Sequence, residues 1–243
     1  MPDYRISSRH HISHWIEDLI RLFIPLHCLG CDAILPKNLE NICMRCRMNL
    51  PYTQHHFTPD NNPVMEKFWG KVNLRYAISY LKFYKGGKVQ KLMHALKYLK
   101  QPQVGFLLGE SYAYDLTAFE LEKQFDLIIP LPLHPKKLKI RGYNQAACFG
   151  VGIAKVFEKP MYEDILLKST ATDSQTRKSR INRWLNVKET FVLNRQKVHL
   201  LKDKHVLLVD DVITTGSTLE AAIHVLQTAQ PASVSVAAIA SAT

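Results

Sequence analysis

The segment HVLLVDDVITTGSTLEAAIHVL, residues 205–226, decides how the rest of the chain is read. Val206 to Val209 form a short, wholly apolar run, the pattern of a strand buried on both faces. The run ends in two acids, Asp210 and Asp211, followed after two apolar residues by Thr214-Thr215-Gly216-Ser217-Thr218. Apolar residues then recur at helical spacing, so a helix is expected over Ser217 to Gln227. Small hydroxyl residues thus surround one glycine at a helix N-terminus. Backbone N–H groups there lack acceptors and the helix dipole adds positive potential, which suits a phosphate. The adjacent carboxylates suit hydrogen bonds from vicinal sugar hydroxyls. Acids beside a phosphate site point to a ligand with donors as well as anionic groups, a ribose 5-phosphate.

Rival motifs fail on particular residues. A Walker loop needs G-x-x-x-x-G-K-[ST], and no such lysine stands here. A dinucleotide fingerprint needs G-x-G-x-x-G; Gly150-Val151-Gly152 lies in a helical stretch without the third glycine. A buried strand leading into a helix capped by Ser217 or Thr218 would explain the hydroxyls but leave the paired acids without a reason.

Upstream, strands and helices alternate. RYAISYLKFY, residues 75–84, alternates as a strand, and Gly86-Gly87 turns the chain. Lys88 to Leu99 reads as a helix with Val89, Leu92, Met93 and Leu96 on one face, Lys88 and Lys91 on one shoulder and Lys97 on the other. A second helix is expected over 103–120, a short strand over Phe125–Ile129, a basic loop after PLPLHP and a helix from about 144 to 157. Ile165–Leu167 and Val234–Ile239 complete the strands, and 170–188 is polar and basic with no continuous apolar face. This order predicts an α/β domain with a mostly parallel sheet and flanking helices.

Four of the five cysteines form two pairs, Cys28/Cys31 and Cys43/Cys46, with eleven residues between them. Two C-x-x-C turns can close a four-sulfur site, and structural zinc is the expected occupant, although rubredoxin-like iron uses the same ligands. A redox pair is disfavoured by the doubling of the motif, and disulfides by the lack of an export signal. Such a small module would draw most of its folding free energy from the metal. Pro36 and Asn38 suit a turn between two short strands. Cys148 reads as a buried small hydrophobe, and His10, His11, His14, His55 and His56 as ordinary surface residues. Residues 1–26 are expected to hold an amphipathic helix over 12–24, 27–52 the zinc module, 53–73 a linker rich in proline and asparagine, and 74–243 the main domain.

The 243 residues are 47% hydrophobic and 22% charged, as in a globular protein rather than a disordered one. No apolar run reaches the ~18–20 residues of a membrane helix, and with no signal sequence a cytoplasmic location is expected. Net charge is +11, with nine basic against two acidic residues in 51–100, so phosphorylated ligands or nucleic acid are the favoured partners.

LLVDDVITTGST closely resembles the phosphoribosyl pyrophosphate (PRPP) motif of type I phosphoribosyltransferases. The cysteine module, IPLPLHPKKLKIRGYNQA at 129–146 and DSQTRKSRINRWLNVKETF at 173–191 resemble, in that order, the ComF family of competence-associated, phosphoribosyltransferase-like proteins. The resemblance implies that Asp210 and Asp211 are the catalytic acids and bind the ribose hydroxyls of PRPP, with Thr214, Thr215, Gly216, Ser217 and Thr218 around its 5-phosphate. It further implies that Leu131, Pro132, Leu133 and His134 face the pyrophosphate, that Arg141 adds positive charge, and that Arg177 and Lys178 sit near the tip of a closing loop over 172–183. SQTRKSR is more basic than the SQTGLSR-like run associated with the family. Mg²⁺ would accompany PRPP, and with basic groups would stabilise a departing pyrophosphate. Two functions follow. One is PRPP binding tied to single-stranded DNA in DNA uptake, beside a helicase-like partner of the same operon. The other is an active phosphoribosyltransferase with a nitrogenous acceptor and no role in uptake. Tyr76, Tyr80, Phe83, Tyr84 and Tyr98 are candidates for base stacking.

Overall fold

In the computed structural model of the chain, residues 23–37, 39, 41–168 and 191–242 are described. The expected N-terminal helix, apart from its last two residues, falls outside them, as do His10, His11, His14 and the segment 169–190 with Arg177 and Lys178. The chain divides into two compact units, Met1–Asn49 and Leu50–Thr243.

The described strands are β1 (Ala77–Phe83), β2 (Leu127–Pro130), β3 (Leu166–Lys168), β4 (Phe191–Leu193), β5 (His205–Ile213) and β6 (Ser233–Ala242). The helices are α1 (Met44–Met48), α2 (Pro63–Glu66), α3 (Lys88–Tyr98), α4 (Pro102–Thr117), α5 (Pro135–Arg141), α6 (Gln145–Phe157) and α7 (Ser217–Gln227). β1, β6, β5 and β2 form a sheet in that order, every pairing parallel, while β3 and β4 make a separate antiparallel pair. Val206 to Val209 are wholly buried at its centre. Side chains alternate along β5. Val206 and Leu208 join a cluster with Leu219, Ala222 and Ile223 of α7. Val209 instead faces Gly150 of α6, 3.1 Å from where a Cβ there would stand.

Glycine sets the layer of helices on that second face. A Cβ on Gly109 of α4 would lie 2.1 Å from the Phe149 carbonyl oxygen of α6, and one on Gly152 would lie 2.3 Å from the Phe106 carbonyl oxygen. The two backbones therefore approach closely because no side chain separates them, and the paired glycines of α6 serve packing rather than a dinucleotide.

Three expectations need correction. Residues 53–73 are no open linker. Residues 51–53 run along the outer edge of β1, with Thr53 N–H donating to the Tyr80 carbonyl at 3.0 Å and Lys82 N–H to that of Pro51 at 2.8 Å. This covers an edge strand that would otherwise be open to pairing. Buried Asn62 caps α2 through Val64 N–H and Met65 N–H, and donates to the Ala77 carbonyl at 3.0 Å. Val64 and Phe68 enter the core. The polar residues that suggested a linker are the caps and turns of a folded segment. The basic loop after PLPLHP is instead α5, capped by the His134 side chain at Lys136 N–H, begun by Pro135 and ended by Gly142 at φ 84°. It buries none of its residues, so it leaves no apolar period to read.

His55 is not a surface residue. It is 8% exposed, with Nδ1 at 3.2 Å from Ser79 Oγ, which donates onward to Ser241 Oγ at 2.8 Å. His56 is half-buried against the rings of Phe57 and Phe119. Cys148 is buried as expected, and burial pushes its thiol up to about 12. Among the described residues no helix is long and apolar enough to cross a membrane.

Candidate functional site

β5 does not stop at Val209; it continues through both acids to Ile213, with Asp210 opposite Ala238 and Ile213 opposite Ser241 of β6. The strand alternation directs the two carboxylates to opposite faces of the sheet. Asp210 joins the α7 side. Burial, and then the charge of Asp211, pushes its carboxyl up to about 7, against the Asp211 N–H that donates to Oδ1 at 2.7 Å and the Lys97 and Lys168 ammonium groups. Asp211 turns to the other face, where its Oδ2 meets Lys97 Nζ at 3.0 Å.

The loop after β5 folds back onto α7 through Gly216, the residue preceding the helix, at φ 82°. A Cβ there would also stand 3.1 Å from the Phe68 ring, so glycine is required for conformation and for space. Gly216 has no side chain to cap α7, and neither Ser217 nor Thr218 is its cap; Thr215 Oγ1 accepts from Ser217 N–H at 3.4 Å. Its first intrahelical bond runs from Glu220 N–H to the Gly216 carbonyl, leaving the preceding N–H groups without a helical acceptor. Thr214, Thr215, Ser217 and Thr218 are exposed, with Thr215 Oγ1 and Ser217 Oγ 3.1 Å apart. A shallow concavity open to solvent is lined by Asp210, Val212, Ile213 and the loop through Leu219. Hydroxyls, N–H groups without a helical acceptor and a carboxylate thus line one concavity, chemistry able to meet an anion and a hydroxylated ligand.

Leu131 N–H donates to the Val209 carbonyl at 2.8 Å, so the segment after β2 starts alongside the acids. Asn144 Nδ2 pins the Leu131 carbonyl at 3.0 Å. Leu131 is buried and Pro132, Leu133 and His134 are half-buried. Arg141 engages a different group: its guanidinium lies 5.6 Å over the Tyr98 ring and donates to Gln145 Oε1 at 2.7 Å. Lys97, read from sequence as one shoulder of an amphipathic helix, is a site residue that the pattern gave no reason to select. Only the tertiary fold brings it to Asp211.

In the first unit the four cysteine Sγ atoms lie within 4.8 Å of one another, those of Cys31 and Cys43 3.7 Å apart. Four thiolates at a metal–sulfur distance of ~2.3 Å would stand about 3.8 Å from one another, so the cluster fits a tetrahedral metal. Cys43 N–H donates to Cys28 Sγ and Cys46 N–H to Cys43 Sγ, each at 3.3 Å. A Cβ at Gly30 would come 3.0 Å from Cys46 Sγ. Burial raises the Cys28 thiol, but N–H donors from Cys43, Gly30 and Cys31 outweigh it and bring it to about 6, while burial and the neighbouring thiols push Cys46 to about 12. Around the first pair the backbone makes a bridge from His27 to Ile34, whereas the second pair opens α1, with Cys43 as its cap. The two short strands expected between the pairs are therefore one bridge and, beyond it, a helical turn.

Residues 144–242 match the family described as the phosphoribosyl transferase domain. The fold, a mostly parallel sheet with flanking helices, is a type I phosphoribosyltransferase fold preceded by a four-cysteine cluster. The chain is similar to curated proteins named for competence and DNA utilization. It is 37% identical over 94 residues to Competence protein F of Haemophilus influenzae, covering 39% of this chain and 41% of that protein. It is 27% identical over 134 residues to DNA utilization protein YhgH of Escherichia coli K12, covering 53% and 56%. The matches therefore span about half the length of these curated relatives. Among solved structures, glutamine PRPP amidotransferase of Bacillus subtilis, complexed with ADP and GMP, superposes with a TM-score of 0.41 at 17% identity, covering 61% of this chain and 30% of that one.

Proposed function

We propose that the protein binds Mg²⁺–PRPP at the junction of β5 and α7 and serves single-stranded DNA handling during DNA uptake, from the cytoplasm. The observation that carries this is the run of Asp210 and Asp211 into a helix N-terminus whose hydroxyl-bearing loop lines a cavity together with Asp210. In this reading the α7 N-terminus and Thr214–Thr218 take the 5-phosphate, Asp210 takes the ribose hydroxyls from the concavity it lines, and Asp211 meets the ligand from beside Lys97 on the other face. Leu131–His134 border the pyrophosphate. Carboxylate oxygens beside hydroxyls are a hard donor set that fits Mg²⁺ held largely through its ligand and water. When bound, Mg²⁺ would neutralise pyrophosphate charge. The four cysteines fit zinc in a closed structural role.

The link to DNA draws on the names of the relatives, a competence protein and a DNA utilization protein. It draws also on an exposed aromatic in the most basic part of the sequence. Tyr84 is 48% exposed and available for stacking, whereas Tyr80 is buried and the Tyr98 ring already lies under the Arg141 guanidinium.

The test is calorimetric titration of the zinc-loaded protein with PRPP, with and without Mg²⁺. Asp210→Asn combined with Asp211→Asn should weaken binding by about 100-fold or more in a folded protein, since two charged acceptors are lost. Retained binding in the folded double mutant overturns the assignment. Affinity for single-stranded DNA should fall steeply with salt through counterion release, while PRPP affinity follows Mg²⁺.

A further inference from the structure

Adjacent carboxylates that are partly withdrawn from water repel one another, and a fixed cation lowers that cost. Lys97 supplies one. Its side chain is 22% exposed and that of Asp211 18%, so solvent screens the 3.0 Å pair only in part. Its position is held from both sides along α3. Tyr143 O–H donates to the Leu96 carbonyl at 2.6 Å, and Tyr98 lies under the Arg141 guanidinium. The residues flanking Lys97 are thus fastened to the α5–α6 junction while its ammonium points to β5.

We propose that Lys97 is the resident counter-ion of the acid pair and makes the site selective for a divalent cation that arrives with phosphate groups. The proposal rests on the reading of this site as one for Mg²⁺–PRPP. A bare divalent cation approaching Asp211 must displace the ammonium and leave it without a counter-charge. A cation carried by a phosphorylated ribose takes the carboxylate and at the same time offers phosphate oxygens to the displaced ammonium. Lys97 therefore opposes the first ligand and favours the second. Removing its charge should move the two affinities in opposite directions, whereas a residue that merely held the site's shape would lower both.

The experiment uses the full zinc-loaded chain as wild type, Lys97→Met and Lys97→Arg. Free Mn²⁺ is read by electron paramagnetic resonance, and PRPP binding in Mg²⁺ by calorimetry. Lys97→Met should bind Mn²⁺ about tenfold more tightly and PRPP about tenfold more weakly, with Lys97→Arg close to wild type in both. Asp211→Asn added to Lys97→Met should abolish the gain for Mn²⁺. The counter-ion role is overturned if both affinities fall together in folded Lys97→Met, if Mn²⁺ affinity does not change, or if arginine fails to restore them. A wild type that binds no PRPP overturns the reading of the site instead, and the Mn²⁺ measurement still decides whether Lys97 opposes a cation at Asp211.

Discussion

His55 illustrates how much a single side chain depends on what folds around it. Burial, then the charges of Lys82 and His56, hold its imidazole down at about 4, well below its ordinary 6.5. The neutral ring accepts from Ser79 inside the core. Between those two values the unfolded chain binds a proton that the folded one does not. The stabilisation from a neutral His55 is therefore complete above about pH 6.5 and is lost as pH falls towards 4. At its steepest this slope is about 1.4 kcal/mol per pH unit. His55→Asn keeps an acceptor near the place of Nδ1 and removes the titration, so denaturant-derived stabilities of the variant should flatten by one proton across this window. An unchanged slope would mean that another group carries the acid sensitivity. Asp210 runs the other way. Its raised carboxyl is neutral below about 7, so a ligand that needs the ionised form should bind more tightly as pH rises through 7.

At the scale of elements, the contact of α4 with α6 is governed by the absence of side chains. Gly109→Ala would place a methyl 2.1 Å from a backbone oxygen that no rotamer change can move aside. The helices must separate, and a loss of about 3 kcal/mol in chemical denaturation is expected. A loss below about 1 kcal/mol would show that the layer is loosely packed. The glycines of α4 and α6 were visible in the sequence, but their partners were not, since each meets backbone from the other helix. α7 could be read to the residue and β5 at its buried centre, though not its extension to Ile213, because a buried strand and an amphipathic helix have different apolar periods. α5 and the folded segment over 53–73 could not, because short elements held by caps and single hydrogen bonds leave no period at all.

For the molecule as a whole, the two units rest on different physics. Leu50–Thr243 encloses a two-sided sheet with a continuous apolar core. The described part of Met1–Asn49 buries few apolar side chains, and its four thiols converge on one point. Chelation of the metal should therefore release amide protection between Leu26 and Asn49 while the amides of β5 stay protected, as followed by hydrogen exchange. Uniform loss of protection, or none, would contradict this division. The sequence by itself determined the α/β order, the cysteine cluster and the hydroxyl-rich turn at Thr214–Thr218, because each is a local pattern of polarity and spacing within a few residues. Only the tertiary structure decided that Asp210 and Asp211 face opposite sides of the sheet, that Phe68 supports Gly216 and that Lys97 holds Asp211. Those facts depend on how far β5 extends and on which distant segments pack against it, and side-chain contacts between distant segments leave no periodic trace along the chain.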